Sequence, residues 1–272
     1  MRVVPRLRSL FGRQVASGGM YRRWVTSCRF LWPPILTYSR RRGDLLEWFE
    51  AHLEPIASLD DGEIVGVAVL SPDLRITVTR QGFTLDSGLG GLDLIELSTA
   101  IDGVLEVLAP RDVILDSFTA AGVSSLDHDD YEAERASFAA RSALSGATAI
   151  ASAGLLPVDG SNLVDLTSTD LRVQVEWGVV RDDELLARLR HPEQSRLNGH
   201  TLDADALHLT PPRWTAPPVG LYSNIWVRRK ATVHVGSAGD VTAIVNTLQN
   251  TTTQIAEALL SDYTSGQSKG DR

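Results

Sequence analysis

The chain has 272 residues, 43% hydrophobic and 22% charged, with one cysteine and a formal charge of −8. That composition suits an ordinary globular protein and excludes a disordered chain. A lone Cys28 excludes an internal disulfide and a multi-cysteine zinc site, and no apolar run approaches the roughly 20 residues a membrane helix needs.

The charge is unevenly spread. Residues 1–42 hold ten arginines and no acid, so residues 43–272 carry a formal charge of −18. Four readings of this basic N-terminal extension compete. An Arg-rich, acid-free leader has the composition of a transit peptide. Arginines interleaved with Trp24, Phe30, Trp32 and Tyr38 suit nucleic acid, with cations on phosphates and rings on bases. The same cations suit an anionic membrane surface. The fourth reading is that residues 1–19 precede the true start at Met20 and carry no structure. Arginine outnumbers lysine 24 to 2. Physics does not demand that ratio, whereas a GC-rich genome produces it, so a high-GC bacterial source is expected. From Met20 the formal charge would be −12.

In chain order, the alternation over 22–31 predicts a strand, and Trp32-Pro33-Pro34 ends it because proline donates no ladder hydrogen bond. Cys28 on that strand reads as a small buried hydrophobe. From Asp44, the apolar residues Leu45, Phe49, Leu53 and Ile56 recur at helical spacing. Asp60-Asp61-Gly62 breaks that pattern. Residues 64–70 read as a strand covered on both faces, 74–78 as one with a wet face, and 83–85 as its partner across a turn at Gln81-Gly82. Gly88-Leu89-Gly90-Gly91 leads into a helix with Leu94, Leu97, Ile101, Val104, Leu105 and Leu108 on its inner face, closed by Pro110. A strand over 113–118 and an alanine-rich helix over 130–144 follow. The small residues of 145–162 read as a connection between halves.

The second half opens with Leu163, Val164 and Leu166. Residues 171–179 alternate most clearly of all. A short helix over 185–190, a Pro/Trp-containing loop to about 223 and a strand over 225–235 come next. Asp240 then caps a terminal helix to about Tyr263, with Val241, Ile244, Val245, Leu248, Ile255 and Leu259 inside. The expected fold is α+β: a largely antiparallel sheet, or two, with long amphipathic helices on one face. The body, 43–272, divides into two similarly patterned halves, 43–144 and 163–272.

Candidate chemistry is sparse. The Gly88–91 segment fails the dinucleotide spacing, since Asp93 stands where a glycine is required, and no Lys-Ser or Lys-Thr makes it a P-loop. Asp127-His128-Asp129-Asp130 is the densest polar cluster. As chemistry it offers a His–carboxylate pair; as structure, Asp129 and Glu132 form a capping box. The six histidines lack metal-ligand spacing, so neither a metal nor another cofactor is expected. Arg228-Arg229-Lys230 beside Trp226 is the one basic run in the acidic body.

The terminal helix carries only Glu257 between 241 and 260, and its polar side is Asn246, Gln249, Asn250 and Thr251 to Gln254. A solvated helix usually carries more charge and avoids runs of threonine, so a partner, subunit or ligand is expected to cover this side. The expectation is therefore a non-enzymatic, cytoplasmic binding or assembly protein that works through a protein partner or self-association. Its expected contact residues are Trp214, Trp226, Arg228, Arg229, Lys230, Gln249 and Thr253, since Trp and Arg are enriched at interface hot spots. One alternative is a small-molecule binder or metal-independent enzyme with a cavity between sheet and helices, involving His128 or Asp116. The other is nucleic-acid binding through the basic arm.

Overall fold

The computed structural model describes residues 21–55, 57–69, 74–87, 94–126, 129–141, 161–181, 184, 217–230 and 234–270. Residues 1–20, the Gly88–91 loop, His128, the connection over 145–160, the 185–190 helix and the loop holding Trp214 lie outside that set.

One antiparallel sheet organises the rest. Its strands are β1 (Tyr21–Leu31), β2 (Ala57–Asp60), β3 (Ile64–Val69), β4 (Leu74–Thr79), β5 (Gly82–Ser87), β6 (Val113–Ser125), β7 (Ser161–Thr167), β8 (Leu171–Arg181), β9 (Val219–Arg229) and β10 (His234–Val235). They lie in the order β2-β3-β4-β5-β1-β6-β9-β8-β7, with β10 rejoining β6 beyond the end of β9. The helices are α1 (Tyr38–Leu53), α2 (Leu94–Gly103), α3 (Tyr131–Arg141) and α4 (Ala238–Gly270). A single π-helical turn, Val104–Leu108, continues α2.

This order contains a repeat. β1 leads through α1 into the meander β2 to β5, which returns to pair with β1 before α2. β6 leads through α3 into β7, β8 and β9, which returns to pair with β6 before α4. β1 and β6 pair antiparallel at the centre, so residues 21–108 and 113–270 meet there, with four returning strands in the first unit and three in the second. The strand expected over 22–31 is thus the innermost strand of the first unit.

The helices share one face. Cross-strand partners place Val65, Ile76, Leu85, Cys28, Phe118, Val227 and Val173 on it, all buried in one core with Leu45 and Phe49 of α1, Leu97 and Ile101 of α2, and Val241 and Val245 of α4. Alternate residues such as Thr77, Thr84, Arg29, Trp226 and Gln174 point to the other face and stay partly or fully accessible. A small second cluster of Val25, Ala121, Val123, Val180 and Tyr222 lies at one end of that open face.

Several boundaries differ from the sequence expectation for tertiary reasons. α1 begins at Tyr38, six residues before Asp44, because the buried Tyr38 hydroxyl donates to the Val78 carbonyl at 2.8 Å. Arg41 in the same turn donates to the Leu108 carbonyl at 2.8 Å, satisfying the end of the π turn. Ala109, in the left-handed conformation, closes that turn. Asp130, not Asp129, caps α3 through the Ala133 amide at 3.1 Å, while Glu132 pairs with Arg135. α4 starts at Ala238 under a capping box: Ser237 Oγ accepts from the Asp240 amide and donates to its carboxylate. β9 begins at Val219 rather than near 225. Gly220 and Ser223 weaken its alternation, but pairing with both β6 and β8 supplies the strand.

Candidate functional site

The open face of the sheet collects charge where β1, β6, β9 and β8 run side by side. Between Arg29 and Phe30 the β1–β6 register slips, leaving Asp116 as the extra residue of a bulge. A bulge re-aims its side chain, and here the Asp116 carboxylate meets two arginines from different strands. Arg228 Nη2 on β9 stands 3.3 Å from Oδ1, and Arg29 Nε on β1 stands 3.9 Å from Oδ2. Both arginine side chains remain about half exposed, at 51% and 53%, against 21% for Asp116. The Arg228 guanidinium also lies 5.0 Å above the centre of the Trp226 ring, a cation–π contact.

Arg172 on β8 is the direct cross-strand partner of Arg228 and is exposed. Like charges directly opposite each other on a sheet are destabilising. Two guanidiniums therefore meet one carboxylate and a third, Arg172, stands across from Arg228 on the next strand, a local run of positive charge on a protein whose chain beyond residue 42 is otherwise acidic. The arrangement can receive carboxylate or phosphate oxygens, since an arginine offers a planar fork of donors.

The basic run Arg228-Arg229-Lys230 does not act as one patch. Arg229 pairs opposite Leu171 and points to the helix face, while Arg228 points to the open face. Lys230 closes the β7–β8 turn: its amide donates to the Asp170 carbonyl at 2.8 Å and its ammonium to that of Ser168. Trp226 and Arg228 share the site. Trp214 and His128 lie outside the described residues.

Gln249 and Thr253 occupy a different place. α4 turns Gln249 and Thr252 inward, where both are buried. Arg23 of β1 reaches up to this turn, donating to Gln249 Oε1 at 3.0 Å, to the Gln249 carbonyl, and to Thr253 Oγ1 at 2.6 Å. Part of the low-charge side of the terminal helix is thus covered by the chain's own first strand. The sequence counted Arg23 in the basic arm; only the packing of β1 beneath α4 joins it to Gln249.

No protein-family model matches the chain, and no curated protein matches it. Among the described residues, no group of three or more His, Cys, Asp or Glu side chains is placed to hold a metal ion, and no helix is long and apolar enough to cross a membrane. Cys28 is completely buried, and burial pushes its thiol well above the usual range with the Asp86 charge adding to the effect. It therefore stays a thiol rather than a nucleophilic thiolate. Arg29 and Arg172, which complete the open-face cluster, went unnoticed in the sequence. Their strand alternation was legible, but nothing in one dimension says which strands become neighbours.

Proposed function

We propose that this is a binding protein that acts through protein–protein contact, and that the Arg29–Asp116–Arg172–Arg228 face with Trp226 receives an acidic segment of its partner. The observation that carries this reading is the Arg172–Arg228 cross-strand pair, which incoming carboxylates relieve. Trp226 supplies the apolar anchor that a hot spot needs beside its charges. The carboxylates Asp86, Asp165 and Glu176 on neighbouring strands of the same face suit a short acidic segment better than an extended polyphosphate, which wants a continuous cationic groove.

The test is affinity capture of the full-length protein from its native cells beside an Arg172→Glu/Arg228→Glu double variant, with bound protein and nucleic acid both quantified. A partner protein bearing an acidic segment should be retained by the wild type and released by about 0.5 M salt. The double variant should lose it by at least about tenfold. Recovery of nucleic acid in place of protein, or equal retention by the double variant, overturns the reading.

A further inference from the structure

The helix-facing side of the sheet is apolar over most of its area but turns polar where α4 crosses the ends of β1, β6 and β9. Arg23 of β1 and Ser223 of β9 are the two cross-strand neighbours of Gly122, one on each side. Tyr21 lies on the same face, with its ring laid over Gly122: a Cβ there would stand 2.6 Å from the ring. Gln249, Thr252 and Thr253 of α4 close the cluster from above.

Two features of this cluster favour a ligand. The first is charge. The acceptors that Arg23 finds are all neutral, namely the Gln249 side chain and carbonyl and the Thr252 and Thr253 hydroxyls. Among the described residues no carboxylate pairs with it. A guanidinium drawn in from water is costly unless its charge is offset. The second is unused donors. The Tyr21 hydroxyl, the Arg23 Nε and the Ser223 hydroxyl are buried and converge, with Tyr21 close enough to interact with both of the others, yet none of the three meets full hydrogen-bond geometry with any group. Tyr21 is 7% and Ser223 3% exposed. Each such orphan costs about 1–3 kcal/mol.

We propose that Tyr21, Arg23 and Ser223 bind a small inorganic anion of halide size between the sheet and α4. An anion accepts from all three donors and offsets the Arg23 charge at once, whereas a water molecule accepts only two hydrogen bonds and offsets nothing. The near-complete burial of Tyr21 and Ser223 limits the size. An oxyanion such as phosphate would also bring more acceptor oxygens than three donors can serve. Burial holds the Tyr21 phenol above its ordinary range against the opposing pull of Arg23 and Ser223, so it is a donor at neutral pH. The bound anion would tie β1 of the first unit to β9 and α4 of the second.

The test is thermal unfolding of the full chain at constant ionic strength with sodium chloride progressively replacing sodium gluconate, whose anion is too large to enter. The wild-type Tm should rise by about 3 °C or more and saturate with chloride, as expected for a ligand that binds only the folded state. Tyr21→Phe removes one donor and one buried orphan. It should unfold no earlier than wild type in gluconate, yet lose at least half of the chloride-dependent rise. Arg23→Gln should abolish that rise, and Ser223→Ala serves in its place if Arg23→Gln does not fold. Equal wild-type Tm in the two salts, or a chloride dependence unchanged in Tyr21→Phe and Ser223→Ala, overturns the proposal.

Discussion

The two units, 21–108 and 113–270, share one plan of strand, helix, returning meander and helix, yet fill it differently. The first is aromatic inside. Phe30 stacks on Phe83 at 4.7 Å between ring centres, Trp32 tilts against the same ring, and Tyr38 and Phe49 are buried beside them. The second has Phe118 on its inner face but otherwise lines it with valine, alanine, Ile225 and Ser223, and lays a long helix carrying Gln249 and Thr252 across it. Its far end is locked by a polar contact: Tyr263 of α4 donates to the buried Glu134 carboxylate of α3 at 2.6 Å, with Arg141 above the tyrosine ring. One topology thus tolerates two core chemistries. The aromatic cluster of the first unit is suited to holding the sheet together, and the polar groups left over for binding gather where β1 of that unit meets β9 and α4 of the second.

The largest expected effect tests that division of labour. Phe30→Ala removes a fully buried ring from the stacked pair and should cost about 3–5 kcal/mol in urea unfolding, while Ile225→Ala in the second unit should cost about 2–4 kcal/mol. A larger loss from Ile225→Ala than from Phe30→Ala would reverse the comparison.

A pH titration sharpens it next. Burial, the largest cause, raises the Tyr38 phenol from 10.0 to about 12 in the folded chain. Its folded pKa exceeds its unfolded one, so the neutral form favours folding. The contribution is complete below pH 10 and is lost as pH rises through 10 to about 12. Tyr38→Phe should flatten that limb of the stability–pH curve; an unchanged limb would remove Tyr38 from the account.

The smallest effect lies on the open face. Arg172→Thr ends the like-charge pairing with Arg228 and should stabilise the protein by about 0.2–1 kcal/mol at low salt, fading as salt rises. The same variant should weaken partner capture. Stabilisation together with lost binding is the signature of a site that holds charge in excess for a ligand. No change in stability would mean that the guanidiniums already lie far enough apart to ignore each other.

Much of this organisation was legible in the sequence. The period-two alternation over 171–179 and the apolar stripe from Leu45 to Leu53 emerge as β8 and α1, because burial of one face imposes those periods wherever the element sits. The strand order, by contrast, was not legible. The first unit begins at Tyr21, inside a segment whose ten arginines made it read as an appendage. Arg23, Arg41 and Arg42 are bound within the fold, to Gln249, to the Leu108 carbonyl and to Asp60. Their long apolar stems allow such charges to be carried inward.

By itself, then, the sequence determined the class: an antiparallel α+β protein with amphipathic helices on one side of its sheet. Hydrophobic periodicity is a local property, and a chain of this composition can satisfy it in few ways. Only the tertiary structure decided which charges meet. The Asp116 bulge, the Arg172–Arg228 pair and the reach of Arg23 to Gln249, 226 residues away along the chain, follow from strand order and register. Those are set by the mutual fit of both units, and no local pattern encodes them.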